Sequence, residues 1–367
     1  MIGQPGVIGQ SKWELDTPAL LLDLPTMERN IERMASTFRK AGVNWRPHTK
    51  GQKIPAVAYK ELAAGAIGVT CAKLGEAEVM AAAGIRDILI ANQVVGSQKI
   101  TRLVNLLPHA DIIVAVDSEE NLEALDRAAR EKGVRLRVVV EVNVGMDRAG
   151  VAPGQPAVEM AKKVHGREGV RFAGLMAWEG HTIKIPSPDD KRQAVTRAVG
   201  LLTDSARLCR EAGLLVEIVS CGGTGTYRIT ANLPGVTEIE AGGGIFGDIY
   251  YRKAMGVEHE YALTILATVT SRPLPTRIIC DTGKKTMSGD SALPEPLGVG
   301  KVQSVSLSAE HARIDLEEPN TTLKVGDKIE FVVGYSDTTV HLHEEMYGIR
   351  DGRVEVVWPI LGRGRLR

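Results

Sequence analysis

Between residues 43 and 244 the chain alternates short β-branched runs with helical patterns, and it does so eight times. The runs are VNWRPH (43–48), IGVTCA (67–72), DILIAN (87–92), DIIVAV (111–116), LRVVVEVN (136–143), VRFAGLMAW (170–178), VEIVSCGG (216–223) and EIEAGGG (238–244). Segments such as KLGEAEVMAAAG and SEENLEALDRAAREKG lie between them, with Glu early and a closing Gly, as helices are bounded. Alternation of this kind demands a parallel sheet with helices packed outside it. Eight repeats predict a (β/α)8 barrel; strand counting leaves an open doubly wound sheet as the alternative.

After about residue 260 the rhythm changes. YALTILATVTSRP, TRIICDTG, KVQSVSLSAEHARIDLEE, DKIEFVVGYS and GRVEVVWPI read as strands separated by turns, with almost no helical period. This is a second, mainly antiparallel β domain. A chain of 367 residues has room for it, because single cores stop growing at roughly 250–300 residues. The early run TPALLLDL (17–24) fits either domain by pattern alone.

Several function classes are excluded by composition. With 45 basic and 45 acidic residues the net charge is zero, which argues against a nucleic-acid or membrane partner. Aromatics make up 4% of the chain, too few for a base-stacking surface. Cys71, Cys209, Cys221 and Cys280 are spaced too widely for a zinc or redox motif and suit a reducing cytoplasm. The start, MIGQPGVIGQSKWELDTP, lacks the pattern of a secretory signal, and no apolar run reaches the length of a membrane span. A cytoplasmic location is expected.

In such barrels the chemistry gathers where strands end at their carboxyl side. The first strand ends at His48, Thr49 and Lys50, inside a stretch that also holds Arg46 and Lys53. The fifth leads into NVGMDRAG with Asp147 and Arg148, and the sixth ends in WEGH with Trp178, Glu179 and His181. The seventh and eighth end in CGGTGT and AGGGIFGD. Glycine-rich turns at two adjacent strand ends leave backbone N–H groups free to converge on a phosphate, and Thr224 and Thr226 add hydroxyls. Lys50 at the same mouth, with Arg46 and His48 beside it, is expected to have a lowered pKa and so to suit Schiff-base chemistry. A lysine opposite a phosphate site points to pyridoxal 5'-phosphate as cofactor. The plainer alternatives are a solvated lysine and glycines that only make tight turns.

TPALLLDL, RPHTKGQK, GVTCAKLGEAEVMAAAGIRDILIANQV, VEVNVGMDRAGV, SCGGTGTY, DTGKKTMSGD and GIRDGRVEVVWPILGRG together resemble the D-threonine aldolase and D-serine dehydratase group. These are fold-type III pyridoxal phosphate enzymes related to alanine racemase, and the resemblance spans nearly the whole chain. It implies a barrel over 26–258 and a β domain made of 1–25 and 259–367, with the first strand in the latter. It makes Lys50 the cofactor lysine, places Arg148 near the phenolic oxygen and Trp178 beside the ring. Gly223, Thr224, Gly225, Gly242 and Gly243 fall at the phosphate loops. It further implies a homodimer in which Asp281 and Lys284 approach the partner's active site.

Members of this group carry a metal pair, His-x-Asp or His-x-Cys, where this chain has Tyr335-Ser336-Asp337 followed by TTVHLHEE. Asp337 remains, and His341 and His343 fall on one face if a strand continues through them. They are candidate ligands for a divalent Mn, Mg or Zn ion, with ordinary second-shell histidines as the alternative. The activity implied is a lyase acting on a D-β-hydroxy-α-amino acid, by aldol cleavage or by dehydration. Lys50, His48 and Tyr335 are the expected catalytic residues. Two rivals stand beside it: a metal-independent racemase using Lys50 and Tyr335 on opposite faces of the substrate, and a non-catalytic cofactor carrier.

Overall fold

In the computed structural model, which describes residues 6–367, each of the eight runs contains a strand. Of the N-terminal β segment expected over 1–25, residues 1–5 lie outside the described residues. A first strand, β1 (Ala19–Asp23), precedes the eight barrel strands. The eight are β2 (Asn44–Trp45), β3 (Val69–Cys71), β4 (Asp87–Gln93), β5 (Asp111–Val116), β6 (Leu136–Glu141), β7 (Val170–Met176), β8 (Ile218–Cys221) and β9 (Glu238–Ile239). They form one parallel sheet in the order β2-β9-β8-β7-β6-β5-β4-β3. Its two ends also meet, through a parallel bridge of His48 with Thr70 and bonds from Ile67 N to Trp45 O and Thr70 N to Pro47 O. The sheet therefore closes on itself.

Strands covered on both faces read as unbroken apolar runs, and DIIVAV and LRVVVE are of that kind. Leu89, Ile113, Ala115, Val139, Ala173, Met176 and Ile218 fill the barrel's inside. The helices outside it start and stop on local signals. The helix Glu119–Lys132 opens where the Ser118 hydroxyl accepts from Asn121 N and ends at Gly133, whose φ of 69° is left-handed.

The remaining strands are β10 (Leu263–Leu274), β11 (Arg277–Cys280), β12 (Glu295–Pro296), β13 (Val302–Leu307), β14 (Ala312–Leu316), β15 (Lys328–Val332), β16 (Glu345–Arg350) and β17 (Arg353–Pro359). They make a second sheet in the order β13-β14-β11-β10-β1-β16-β17, with β15 on β10 and β12 on β15. The ambiguous run TPALLLDL is settled here. Its strand β1 is central, antiparallel to β10 and parallel to β16, and four of its five residues are buried. Leu15, Ala19, Leu21, Leu266, Tyr347 and Ile349 pack together around it.

Two compact units result. One takes in the chain up to Glu32, Gly51–Ala56 and Gly243–Gly364; the other takes in Arg33–Lys50, Val57–Gly242 and Arg365–Arg367. Among the described residues no helix is long and apolar enough to cross a membrane.

Candidate active site

Pairing of β2 with β3 and β9 fixes the backbone through His48-Thr49-Lys50. Thr49 is buried, with its N–H and hydroxyl both donating to Thr70 O, at 2.7 and 3.1 Å. Lys50 is exposed, and its backbone N–H donates to His48 Nδ1 at 3.4 Å. Arg46, expected beside Lys50, has another role. It is 1% exposed and bonded to Glu238 at 3.1 and 3.2 Å and to Asp87 at 2.7 and 3.4 Å. Burial works against its charge, yet the two carboxylates outweigh it and hold the guanidinium firmly protonated. Its charge is spent inside the barrel wall, so it is no cationic neighbour for Lys50.

The two glycine-rich turns follow β8 and β9. In the first, buried Glu179 is the organiser: it accepts from Gly222 N at 3.2 Å and from the hydroxyls of Thr226 and Thr230, each at 2.7 Å. Trp178, half-buried, lies over the same turn. A Cβ on Gly223 would come within 2.3 Å of its ring, and one on Gly180 within 2.2 Å of its indole nitrogen. In the second turn, a Cβ on Gly242 would sit 2.2 Å from His48 O. The glycine is what allows this loop to rest on the backbone two residues before Lys50. Among the described residues, the N–H groups of Gly225, Gly242 and Gly243 meet no protein acceptor. Unpaired N–H donors at adjacent strand ends, with the lysine on the neighbouring strand, fit a phosphorylated aldehyde such as pyridoxal phosphate.

Arg148 is held by a loop that Asn143 ties together. The Asn143 side chain accepts from Gly145 N and Asp147 N, at 3.0 and 3.1 Å, and donates to Asp147 at 2.9 Å. Asp147 takes a left-handed φ of 52° there. The Arg148 guanidinium is half exposed and lies 3.8 Å from Glu141. Burial pushes the Glu141 carboxyl up, although a bond from Gln93 at 2.5 Å works the other way.

The other unit holds a second cluster. Tyr335 Oη donates to Asp337 Oδ2 at 3.1 Å, and Tyr251 Oη donates to Asp337 Oδ1 at 3.5 Å. Tyr250 and Tyr251 both meet the Tyr335 ring edge-on, with centroids 5.0 and 5.7 Å away. Asp248, fully buried, ties the parts together by accepting from Ser336 N, the Ser336 hydroxyl and Tyr251 N at 2.7–2.8 Å. Burial pushes its carboxyl up to about 7 against those three donors.

The expected ligand set is not assembled. The strand stops at Val332, and Val340–Leu342 is a 3-10 turn, so His341 and His343 do not share a strand face. His343 Nε2 bonds Thr286 O at 2.6 Å; since a carbonyl only accepts, that nitrogen carries the proton and offers no lone pair. Burial also lowers the His343 pKa. Among the described residues no three His, Cys, Asp or Glu side chains are gathered to hold a metal ion. The residues present therefore do not fit the divalent site expected of Asp337, His341 and His343.

Sequence reasoning missed Tyr251, Asp248 and the role of Glu179. Glu179 and Asp248 stand in quoted motifs, WEGH and AGGGIFGD, but nothing local says what they bond.

Comparison with known proteins completes the picture. Residues 22–249 match the family model for the alanine racemase N-terminal domain, and residues 262–349 match that for a putative serine dehydratase domain. A 3-hydroxy-D-aspartate aldolase of Paracoccus denitrificans (strain Pd 1222) is 34% identical over 98% of this chain and 95% of its own. A D-threo-3-hydroxyaspartate dehydratase of Delftia sp. (strain HT23) is 33% identical over 78% of this chain and 77% of its own. The crystal structure of D-threonine aldolase from Filomicrobium marinum superposes with a TM-score of 0.96 at 34% identity, over 99% of this chain and 100% of that one.

Proposed function

The chain belongs to the alanine racemase-type family whose N-terminal domain it matches over residues 22–249, and we propose that within it the protein cleaves a D-β-hydroxy-α-amino acid into glycine and an aldehyde. It is a pyridoxal phosphate-dependent lyase. When bound, the cofactor supplies an electron sink for the charge left on the substrate's α-carbon. One observation supports the assignment of the cofactor residues above all: the Gly242 turn rests on the His48 backbone, so the phosphate donors and Lys50 share one end of the barrel.

In this reading Lys50 anchors the aldehyde. Gly223, Thr224, Gly225, Gly242 and Gly243 hold the phosphate, Trp178 lies along the ring, and Arg148 faces its phenolic oxygen. His48 accepts the Lys50 backbone N–H and fixes the turn on which the lysine stands. Tyr335 serves as acid–base group towards the β-hydroxyl. The protein acts in the cytoplasm as a homodimer, with exposed Lys284 turned to the partner. Asp281 sits beside it, accepting from Thr17 Oγ1 at 2.6 Å and Thr268 N at 2.8 Å.

Incubating the holoenzyme with D-threonine, 3-hydroxy-D-aspartate and other D-β-hydroxy amino acids tests this. Glycine plus aldehyde is expected. A keto acid plus ammonia would make it a dehydratase, the enantiomer a racemase, and no product from any of them a carrier.

A further inference from the structure

Resting on the lyase reading above, we propose that Tyr335, Asp337 and Tyr251 form a metal-free proton relay that takes the β-hydroxyl proton and so commits the enzyme to carbon–carbon cleavage. The place where the family resemblance puts a metal pair is occupied here by two phenols converging on one carboxylate. Each oxygen of Asp337 already accepts from a phenol, Oδ2 from Tyr335 at 3.1 Å and Oδ1 from Tyr251 at 3.5 Å. A cation at Asp337 would have to displace these bonds or rely on neutral phenol oxygens, which are weak donors. His343 Nε2 is committed to Thr286 O.

Packing places the cluster against two functional stretches of backbone. A Cβ on Gly51, the residue after Lys50, would lie 2.5 Å from Asp337 Oδ1. A Cβ on Gly243, in the second glycine turn, would lie 2.2 Å from Tyr251 Oη. Both positions must be glycine for the carboxylate and the phenol to occupy these places. Tyr251 is buried, whereas Tyr335 is half-buried. Tyr335 is thus the phenol open to a ligand, and Tyr251 positions the carboxylate behind it.

The step balances within these groups. The substrate β-hydroxyl gives its proton to Tyr335 Oη as the Tyr335 proton passes to Asp337 Oδ2. The Cα–Cβ bond breaks, the C–O bond becomes a carbonyl, and the electron pair stays with the α-carbon fragment. Dehydration needs the opposite transfer, a proton given to the departing hydroxyl. Asp337 only accepts in this cluster, so Tyr335 would finish as a phenolate next to a carboxylate. Two negative charges would then face each other across 3.1 Å at a half-buried position, which opposes that outcome.

The test combines metal analysis with product analysis on the purified holoenzyme. Elemental analysis and Mn2+ titration should find no stoichiometric site in the native protein, and EDTA should leave glycine and aldehyde formation unchanged. Tyr335→His should gain a Mn2+ site at Asp337. Tyr335→Phe should lower kcat by about 10²–10⁴-fold with the cofactor absorbance retained. Tyr251→Phe, acting through Asp337, should shift the pH profile of kcat more than KM. One Mn2+ or Zn2+ per native chain, lost in Asp337→Asn, overturns the proposal, as does ammonia as the main product. Failure to turn over any D-β-hydroxy amino acid would sink the lyase reading alone. The Mn2+ titration does not depend on turnover and would still decide whether Asp337 is a ligand.

Discussion

Arg46 donates to both carboxylate oxygens of Glu238, at 3.1 and 3.2 Å, across the seam where β2 pairs with β9. Both side chains are almost wholly buried. The RPHTK stretch thus divides its cations, with Arg46 clamped into the barrel wall and Lys50 left exposed.

Breaking that seam should be expensive. Arg46→Met leaves the Glu238 carboxylate buried without its partner, and losing one member of a buried pair typically costs about 3–5 kcal/mol. The double variant Arg46→Met with Glu238→Leu should recover part of this, because the fully buried carboxylate goes with its partner, while Asp87 is a third exposed and keeps Arg137 at 3.8 Å. Urea unfolding of both variants measures it. Equal destabilisation of the two would show that volume, not charge, holds the seam.

Lys50→Ala should abolish turnover and the borohydride-trappable cofactor linkage while leaving the unfolding midpoint nearly unchanged, since the side chain is exposed. A linkage that borohydride still traps in the purified variant would move the anchor to another lysine, with Lys53 the first to examine.

Glu179→Gln should loosen the first glycine turn. The carboxylate accepts from Gly222, Thr226 and Thr230, and an amide has a single acceptor oxygen to offer the three donors. Cofactor retention on dialysis should fall, and more than the rate constant measured at saturating cofactor. Full retention would place the phosphate elsewhere.

Stability should decline on the alkaline side. Burial pushes the Glu240 carboxyl up to about 8, with the charge of Glu238 adding to it and a bond from Ser220 opposing it. A raised folded pKa means its contribution is fully present below the unfolded value, about 4.3, and is lost as pH rises through about 8. Asp248, pushed up to about 7, acts in the same direction. Glu240→Gln should therefore melt higher than the native protein at pH 9, with the difference shrinking towards pH 5. A gap that is constant between pH 5 and 9 would mean the residue stays ionised in the folded barrel.

Alternation and strand-end position are local properties, and the sequence carried them. Eight apolar runs with helices between them specify a parallel sheet covered on both faces, which a closed barrel and an open doubly wound sheet both satisfy, and the bonds joining the His48 and Thr70 segments decide for closure. The rule that chemistry sits at strand ends then collected Lys50, Arg148, Trp178 and the glycine turns without any coordinates. Direction and partnership are not local. Whether Arg46 faces Lys50 or Glu238 depends on a residue almost two hundred positions away. The partners of Glu179 come from the turn after the next strand, and Asp248 bonds Ser336 from a different part of the second unit. Tyr251 shows no motif at all; it matters because Gly243 leaves room for its hydroxyl and Asp337 accepts from it. His341 and His343 were spaced for a strand, but the backbone turns 3-10 there and separates them. Periodicity determines which residues a strand or helix can present, while hydrogen bonds between distant segments decide what each of them meets.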